Sequence, residues 1–410
     1  MNDETAKRGE HGARSRRVSA MTNLVHSGSP SAKAAGLLNP PVHRASTITY
    51  DSVEAYTGRH SRIYDDVIYG LYGTETTFAL EAAIAALESG HRTVVTSSGT
   101  AAISLSLSAF LTAGDHLLVI DTVYRSTRRF CDDVLTAMGV EVSYFDPGVG
   151  SDIVAQIRPN TRAIFLETPG SLTFEMPDIA AIAAVARPRE IITMIDNTWA
   201  TPLYFRPIEH GIDVSIAAAT KYLSGHSDVM LGAMTAANAD IFRRLKDAAR
   251  YWGNCVSPDD CYLVHRGLRT LEVRLERHQR NALELIDWFQ QQPEVRHVLY
   301  PGIASDAGHA IWRRDFDGAT GLFGVLLDDM TPQENSAFFN QFRLFQLGAS
   351  WGGFESLIVP AWPAPERSCT PLQKGSLIRV HAGLETGEDL IDDLSAAFDR
   401  LRAFRSGGRP

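Results

Sequence analysis

The chain has 410 residues, with 39 Lys and Arg against 48 Asp and Glu for a net charge of −9, and it is 44% apolar and 21% charged. This is the composition of a globular protein long enough for two or three domains, which excludes a disordered chain. The acidic balance argues against a nucleic-acid partner, since phosphate affinity rests on clustered Lys and Arg, and here a basic run is confined to Arg14, Arg16 and Arg17 in a polar tail.

The first residues show little periodicity and end in a Tyr- and Gly-rich stretch at 64–73, so 1–72 reads as an arm suited to reaching across a subunit interface. From there the chain alternates helical spacing with short apolar runs. The runs at 93–96, 116–121, 142–146, 163–168, 191–196, 214–219 and 230–236 are apolar on both faces, as strands of a mostly parallel, helix-covered sheet must be. Between them, Phe78, Ala82 and Ala85 or Ala86 recur at helical intervals in 77–87, and Ile103, Leu107 and Phe110 do so in the next helix. The pattern predicts a seven-stranded α/β domain over 73–268. Beyond it, a charged amphipathic helix at 271–292 precedes strands at 321–328, 345–349 and 377–381 and helices at 332–342 and 387–404. This predicts a smaller α+β domain over 269–410, with a Pro-rich loop at 360–371.

No apolar stretch approaches the roughly 18 residues needed to cross a bilayer, and the N-terminus lacks an apolar signal region. Cys131, Cys255, Cys261 and Cys369 form no CxxC pair and the histidines show no HExxH spacing. Neither a disulfide framework nor a metal site is expected. These features predict a cytoplasmic protein without a membrane partner.

Three features carry chemistry. In SIAAATKYLSGHSD an apolar strand ends at Lys221, which places an amine at the carboxyl edge of the sheet, where ligands of open α/β sheets bind. An isolated Thr-Lys pair is more often a surface lysine. In IITMIDNTW a second strand ends at Asp196, an acid that burial makes costly without a cationic partner; a protonated pyridine nitrogen is such a partner. Asp at a strand end is also a common helix N-cap. Third, Ser97-Ser98-Gly99-Thr100-Ala101 joins a strand to a helix, where close backbone approach and free N–H groups suit a phosphate. Cradle, acid and amine in this order along one sheet are the layout of a pyridoxal phosphate enzyme.

With FLETPGSLTFEMPD, MIDNTW, SIAAATKYLSGHSD, SWGGFESL and LIRVHAGLE, the chain resembles the cystathionine β-lyase branch of the pyridoxal-phosphate-dependent Cys/Met-metabolism (trans-sulfuration) family over about 42–401. The resemblance implies the aspartate-aminotransferase-like fold (fold type I). It also implies a homotetramer built from dimers that share active sites, and a carbon–sulfur lyase of methionine biosynthesis. By position it makes Lys221 the lysine that bonds the cofactor, Asp196 the pyridinium partner, and Gly99, Thr100 and Thr220 phosphate ligands. Tyr124 matches the aromatic stacked on the ring. Arg379 matches the holder of the substrate α-carboxylate, and Ser350 and Trp351 face the same group. Tyr69 matches a tyrosine that reaches the phosphate from the neighbouring subunit.

Three positions depart from the family pattern. Leu71 stands where an arginine is expected two residues after Tyr69, Ala349 replaces an aromatic, and Ala218 stands where several relatives have Ser. Leucine donates no hydrogen bond, so Arg59 or Arg62 is the candidate replacement. The expected reaction is β-elimination from cystathionine. A broader cysteine-S-conjugate lyase or desulfhydrase, a γ-lyase or γ-synthase, and a silent cofactor-binding regulator are the alternatives.

Overall fold

The computed structural model describes residues 20–26, 33–34, 36–361 and 364–407; Arg14, Arg16 and Arg17 lie outside them. Strands β1 (Arg92–Thr96), β2 (His116–Ile120), β3 (Glu141–Phe145), β4 (Thr161–Glu167), β5 (Ile192–Asp196), β6 (Val214–Ala217) and β7 (Gly232–Ala236) form one sheet in the order β1-β7-β6-β5-β4-β2-β3. Strand β7 runs antiparallel to β6 and β1, while β2 to β6 are parallel to their other neighbours. All seven strands predicted from apolar runs are therefore present. Every residue of β2, β6 and β7 is buried, which explains why those runs show no alternation.

Helices α1 (Glu75–Leu87), α2 (Gly99–Phe110), α3 (Ile179–Ala186), α4 (Ala239–Tyr251) and α5 (Pro258–Leu268) accompany this sheet. Helix α2 buries Ile103, Leu107 and Phe110, the face expected from their spacing, and packs on β1, β6, β7 and α4. Ser98 starts it, with Oγ accepting from the Ala101 N–H at 3.1 Å. Because these strands run parallel, the segments that follow β1, β2, β4, β5 and β6 leave from one edge, and the site is built there.

After α6 (Leu271–Phe289), strands β8 (Val295–Leu299), β9 (Leu322–Leu327), β10 (Leu357–Pro360) and β11 (Ser376–His381) form an antiparallel sheet in the order β10-β11-β9-β8. Helix α6 packs on β8, β9 and the closing helix α7 (Gly387–Arg405). Two strands here were not expected, β8 and β10, and one expected strand is absent. Residues 345–349 contribute a single bridge, from Gln346 to Leu357. The carbonyls of Gly348 and Ala349 accept instead from the Arg379 side chain. Segment 361–375, between β10 and β11, has no regular element among its described residues, in line with its proline content.

The sheets are joined at Trp199, whose Nε1 donates to the Leu322 carbonyl at 2.8 Å and whose ring meets Tyr300 edge-on. Among the described residues no helix is long and apolar enough to cross a membrane.

Glu88, buried at the end of α1, accepts a 2.9 Å hydrogen bond from Ser215 Oγ, and among the described residues its Oε2 has no hydrogen-bond donor within reach. Burial pushes its carboxyl from the ordinary 4.5 up to about 8, with Ser215 and Arg206 opposing. The folded state thus keeps a proton that the unfolded chain releases, and stability falls as pH rises from 4.5 to about 8. Glu88→Gln should melt roughly 5 °C or more above the parent beyond this window and converge with it near pH 5. Thermal unfolding across the pH range checks this, and parallel curves would refute it.

Candidate active site

A cavity of about 670 Å³ opens at the carboxyl edge of the large sheet, and its wall includes Gly99, Tyr124, Asp196, Lys221, Trp351 and Arg379. The first station is the start of α2. Its opening N–H groups, those of Gly99 and Thr100, have no carbonyl one turn earlier to bond, and both residues line the cavity. A Cβ at Gly99 would lie 2.5 Å from the Ala218 Cβ, so the small residue at 218 and the glycine at 99 require each other. Asn254, which sequence reasoning missed, shapes the approach: its Oδ1 accepts from Ser97 N at 3.2 Å and its Nδ2 donates to Val95 O at 3.0 Å. Thr220 also lines the cavity, with its hydroxyl accepting from Leu231 N at 2.9 Å and turning toward the Leu231 carbonyl.

The second station is a pair of acids. Glu167 and Asp196 end adjacent strands and lie opposite one another in the β4–β5 register. Burial raises the Asp196 carboxyl, against the pull of its hydrogen bond from the Thr198 N–H and of Lys221. Burial, with the charge of Asp196, raises Glu167 well above the carboxylate range. Glu167 Oε2 accepts a 2.6 Å hydrogen bond from the Tyr124 N–H, so this acid fixes the backbone of the cavity's aromatic. Sequence reasoning passed over Glu167, although it ends its strand just as Asp196 does.

The third station is the amine. Lys221 follows β6, and its Nζ donates to Ser350 Oγ at 2.7 Å and stands 5.3 Å from the Trp351 ring centre. Burial and then the Arg379 charge push it down to about 8, with Asp196 opposing. On the order of a tenth of this amine is therefore neutral near pH 7, as a base requires. Arg379, on β11, donates to the carbonyls of Gly348 and Ser350 at 2.9 Å each. Burial pushes its guanidinium down to about 10, so it stays charged and short of an anion. Gly352 closes the loop at φ +83°, where a Cβ would sit 2.8 Å from Tyr222 N, and its N–H points at His381 Nε2.

Tyr69 does not join this cavity within the chain. It is 46% exposed and lies edge-on to Tyr72. Neither candidate for the arginine missing at Leu71 lines the cavity either. Arg59 lies over the Tyr56 ring and Arg62 pairs with Asp66 at 2.7 Å. Sequence reasoning also missed that segment 361–375 forms part of the wall, through Pro365, Glu366 and Arg367.

The model for Cys/Met metabolism PLP-dependent enzymes matches residues 21–399. The chain belongs to this family. It is 42% identical to a cystathionine beta-lyase of Escherichia coli, over 93% of this chain and 98% of that one. A relative named L-alanine/L-glutamate racemase, from Wolbachia pipientis, is 40% identical over 89% and 93% of the two chains. The crystal structure of a cystathionine gamma-lyase from Lactobacillus plantarum superposes with a TM-score of 0.85 at 29% identity, covering 94% of this chain and all of the other.

This family member is a PLP-dependent enzyme of fold type I. The donor set fits that cofactor: open N–H groups at a helix start for the phosphate, a buried carboxyl for a protonated ring nitrogen, and an amine for the aldehyde carbon. The cradle is the part most sensitive to volume. Gly99→Ala should weaken pyridoxal phosphate affinity about tenfold or more while Asn254→Asp, a change beside the cradle, does so less. Equilibrium titration of the apoprotein checks this, and an unaltered Gly99→Ala affinity would remove the cradle from the phosphate role.

Proposed function

We propose that this chain is a carbon–sulfur β-lyase that cleaves L-cystathionine to homocysteine, pyruvate and ammonia for methionine biosynthesis. The observation that carries the reading is Lys221 Nζ held at 2.7 Å by Ser350 Oγ, beside Asp196 and Arg379. Relatives named cystathionine beta-lyase, at 41 to 42% identity, support the choice of reaction.

In this reading Arg379 takes the substrate α-carboxylate, for which the guanidinium fork is suited. Its anchorage on the Gly348 and Ser350 carbonyls sets the α-carbon against the Lys221 amine. Lys221 removes the Cα proton, its amine aimed by Ser350. Pyridoxal phosphate, when bound, supplies the sink for the electron pair that the proton leaves behind. Asp196 keeps the ring nitrogen protonated, Gly99, Thr100 and Thr220 hold the phosphate, and Tyr124 covers the ring. The Cβ–S bond then breaks, the sulfur leaves with the electron pair, and Lys221 returns the proton it holds to that thiolate, giving homocysteine; the remaining 2-aminoacrylate, once released, adds water as its imine tautomer and yields pyruvate and ammonia. The Trp351 ring lies 5.3 Å from that amine.

The family resemblance supports a cytoplasmic homotetramer, in which Tyr69 of one subunit serves the cofactor of its neighbour and 1–72 acts as the exchanged arm of a chain divided at 73–268 and 269–410. Its exposure suits that role.

Purified holoenzyme supplied with cystathionine should release pyruvate. Formation of 2-oxobutyrate without pyruvate would overturn the assignment, and D-alanine formed from L-alanine at a higher rate would turn it toward the racemase relative. Lys221→Ala should lower the rate about 10³-fold or more, within the range that general bases supply, while circular dichroism stays unchanged. In the assembled enzyme Leu71→Arg should tighten cofactor binding; unchanged affinity would mean that another group already fills the arginine's place.

A further inference from the structure

Strand β11 carries more than Arg379. Two residues on, and therefore on the same face of the strand, stands His381, which has no exposed surface. Its Nε2 lies 3.1 Å from the Gly352 nitrogen and 3.2 Å from the Gly353 carbonyl oxygen. Burial, and then the neighbouring His278, hold this imidazole well below its ordinary value against the pull of the Gly353 carbonyl, so the ring is neutral and carries one proton. Either tautomer grips the same turn. A bare Nε2 accepts from the Gly352 N–H, and a protonated one donates to the Gly353 carbonyl.

That turn meets Lys221 at both ends. Gly352, at φ +83°, sits so close behind the lysine that a Cβ would lie 3.0 Å from the Lys221 carbonyl carbon, while Ser350, two residues earlier, accepts from Lys221 Nζ at 2.7 Å. Arg379 takes the Gly348 and Ser350 carbonyls, and His381 holds the two glycines that follow. The ring itself is boxed in. The centres of the His278 and Tyr222 rings lie 5.1 and 5.8 Å from its own, and His278 Nδ1 is tied to the Ala382 carbonyl at 2.7 Å. An aliphatic side chain would fill this space with no polar atom to satisfy. What the imidazole adds is the bond to the loop.

We propose that His381 is a positioning residue for the proton-moving amine: by holding the Gly352–Gly353 turn it sets the Ser350 hydroxyl against Lys221 Nζ. This role rests on the reading of Lys221 as the base and of Ser350 as the group that aims it. Two successive glycines have little stiffness of their own, so the shape of the turn has to come from the side chain bound to it. A reacting group misplaced by about 1 Å loses on the order of 10²-fold in rate. With the imidazole removed the turn is released, and the Ser350 hydroxyl moves with it. Arg379 stays on its strand, so the loss falls on kcat more than on KM.

In the holoenzyme, His381→Leu should lower kcat for pyruvate release from cystathionine at least tenfold with KM within threefold of the parent. His381→Gln, whose amide offers both a donor and an acceptor, should keep kcat within threefold. Ser350→Ala decides the route. In that background His381→Leu should cost less than twofold more, since the hydroxyl it sets is already gone. Equal losses with and without Ser350 overturn the proposal, as does a His381→Leu enzyme with the parent's kcat. If the leucine variant does not fold, His381→Asn, whose amide stops short of the glycines, replaces it under the same criteria. Hydrogen exchange supplies a readout apart from turnover. Amides of 350–354 should exchange at least tenfold faster in His381→Leu than in the parent and as in the parent in His381→Gln; unchanged exchange in His381→Leu overturns the proposal whatever reaction the enzyme performs. Absence of pyruvate in the parent, with that exchange pattern intact, overturns the β-lyase reading alone, and the same cycle is then read on D-alanine formed from L-alanine.

Discussion

A carboxylate buried at the end of a strand has to be answered by positive charge, and much of this molecule is arranged around the demand made by Asp196. Parallel pairing places Glu167 beside it, which sharpens the demand, and the turn after β6 brings Lys221 within its field. Burial pushes the acids up and the amine down to about 8; the Thr198 hydrogen bonds and Lys221 oppose this at Asp196, and Asp196 opposes it at Lys221. Under the proposed function the cofactor's ring nitrogen enters as one more cation in that arrangement. Glu167, its carboxyl raised by burial and by the charge of Asp196, also holds the Tyr124 backbone.

What the sequence revealed follows from what burial does to sequence. Strands covered on both faces must be apolar throughout, so the seven of the large sheet stand out, and Asp196 and Lys221 are conspicuous as charges that end such runs. Strand β8 was hidden because its Arg296 and His297 are exposed and break the apolar run. Residues 345–349 look like a strand from Phe345 and Leu347, yet their last carbonyls accept from Arg379, thirty residues away. The wall of the cavity was hidden for the same reason on a larger scale. Asp121 and Arg367 are 246 residues apart, and no local pattern announces such a bond.

The roles of Gly99 and Ala218 were legible only separately. Each is a small residue in its own motif, and the contact between them gives the physical reason: a methyl at one position is tolerable only if the other has none. Serine carries a Cβ as well, so this contact accounts for the glycine at 99 and not for alanine rather than serine at 218.

Arg379 touches both halves of the site. Its guanidinium grips the carbonyls of the loop that carries Ser350, so the group suited to a substrate carboxylate also fixes the hydroxyl that aims the amine. Substrate choice at this end is mechanically geared to the proton-moving end, and neither can drift without the other. Segment 361–375 meets the same cavity through Pro365, Glu366 and Arg367, none of which bonds Lys221 or Ser350, so side chains there can change the room for a thioether without moving the amine.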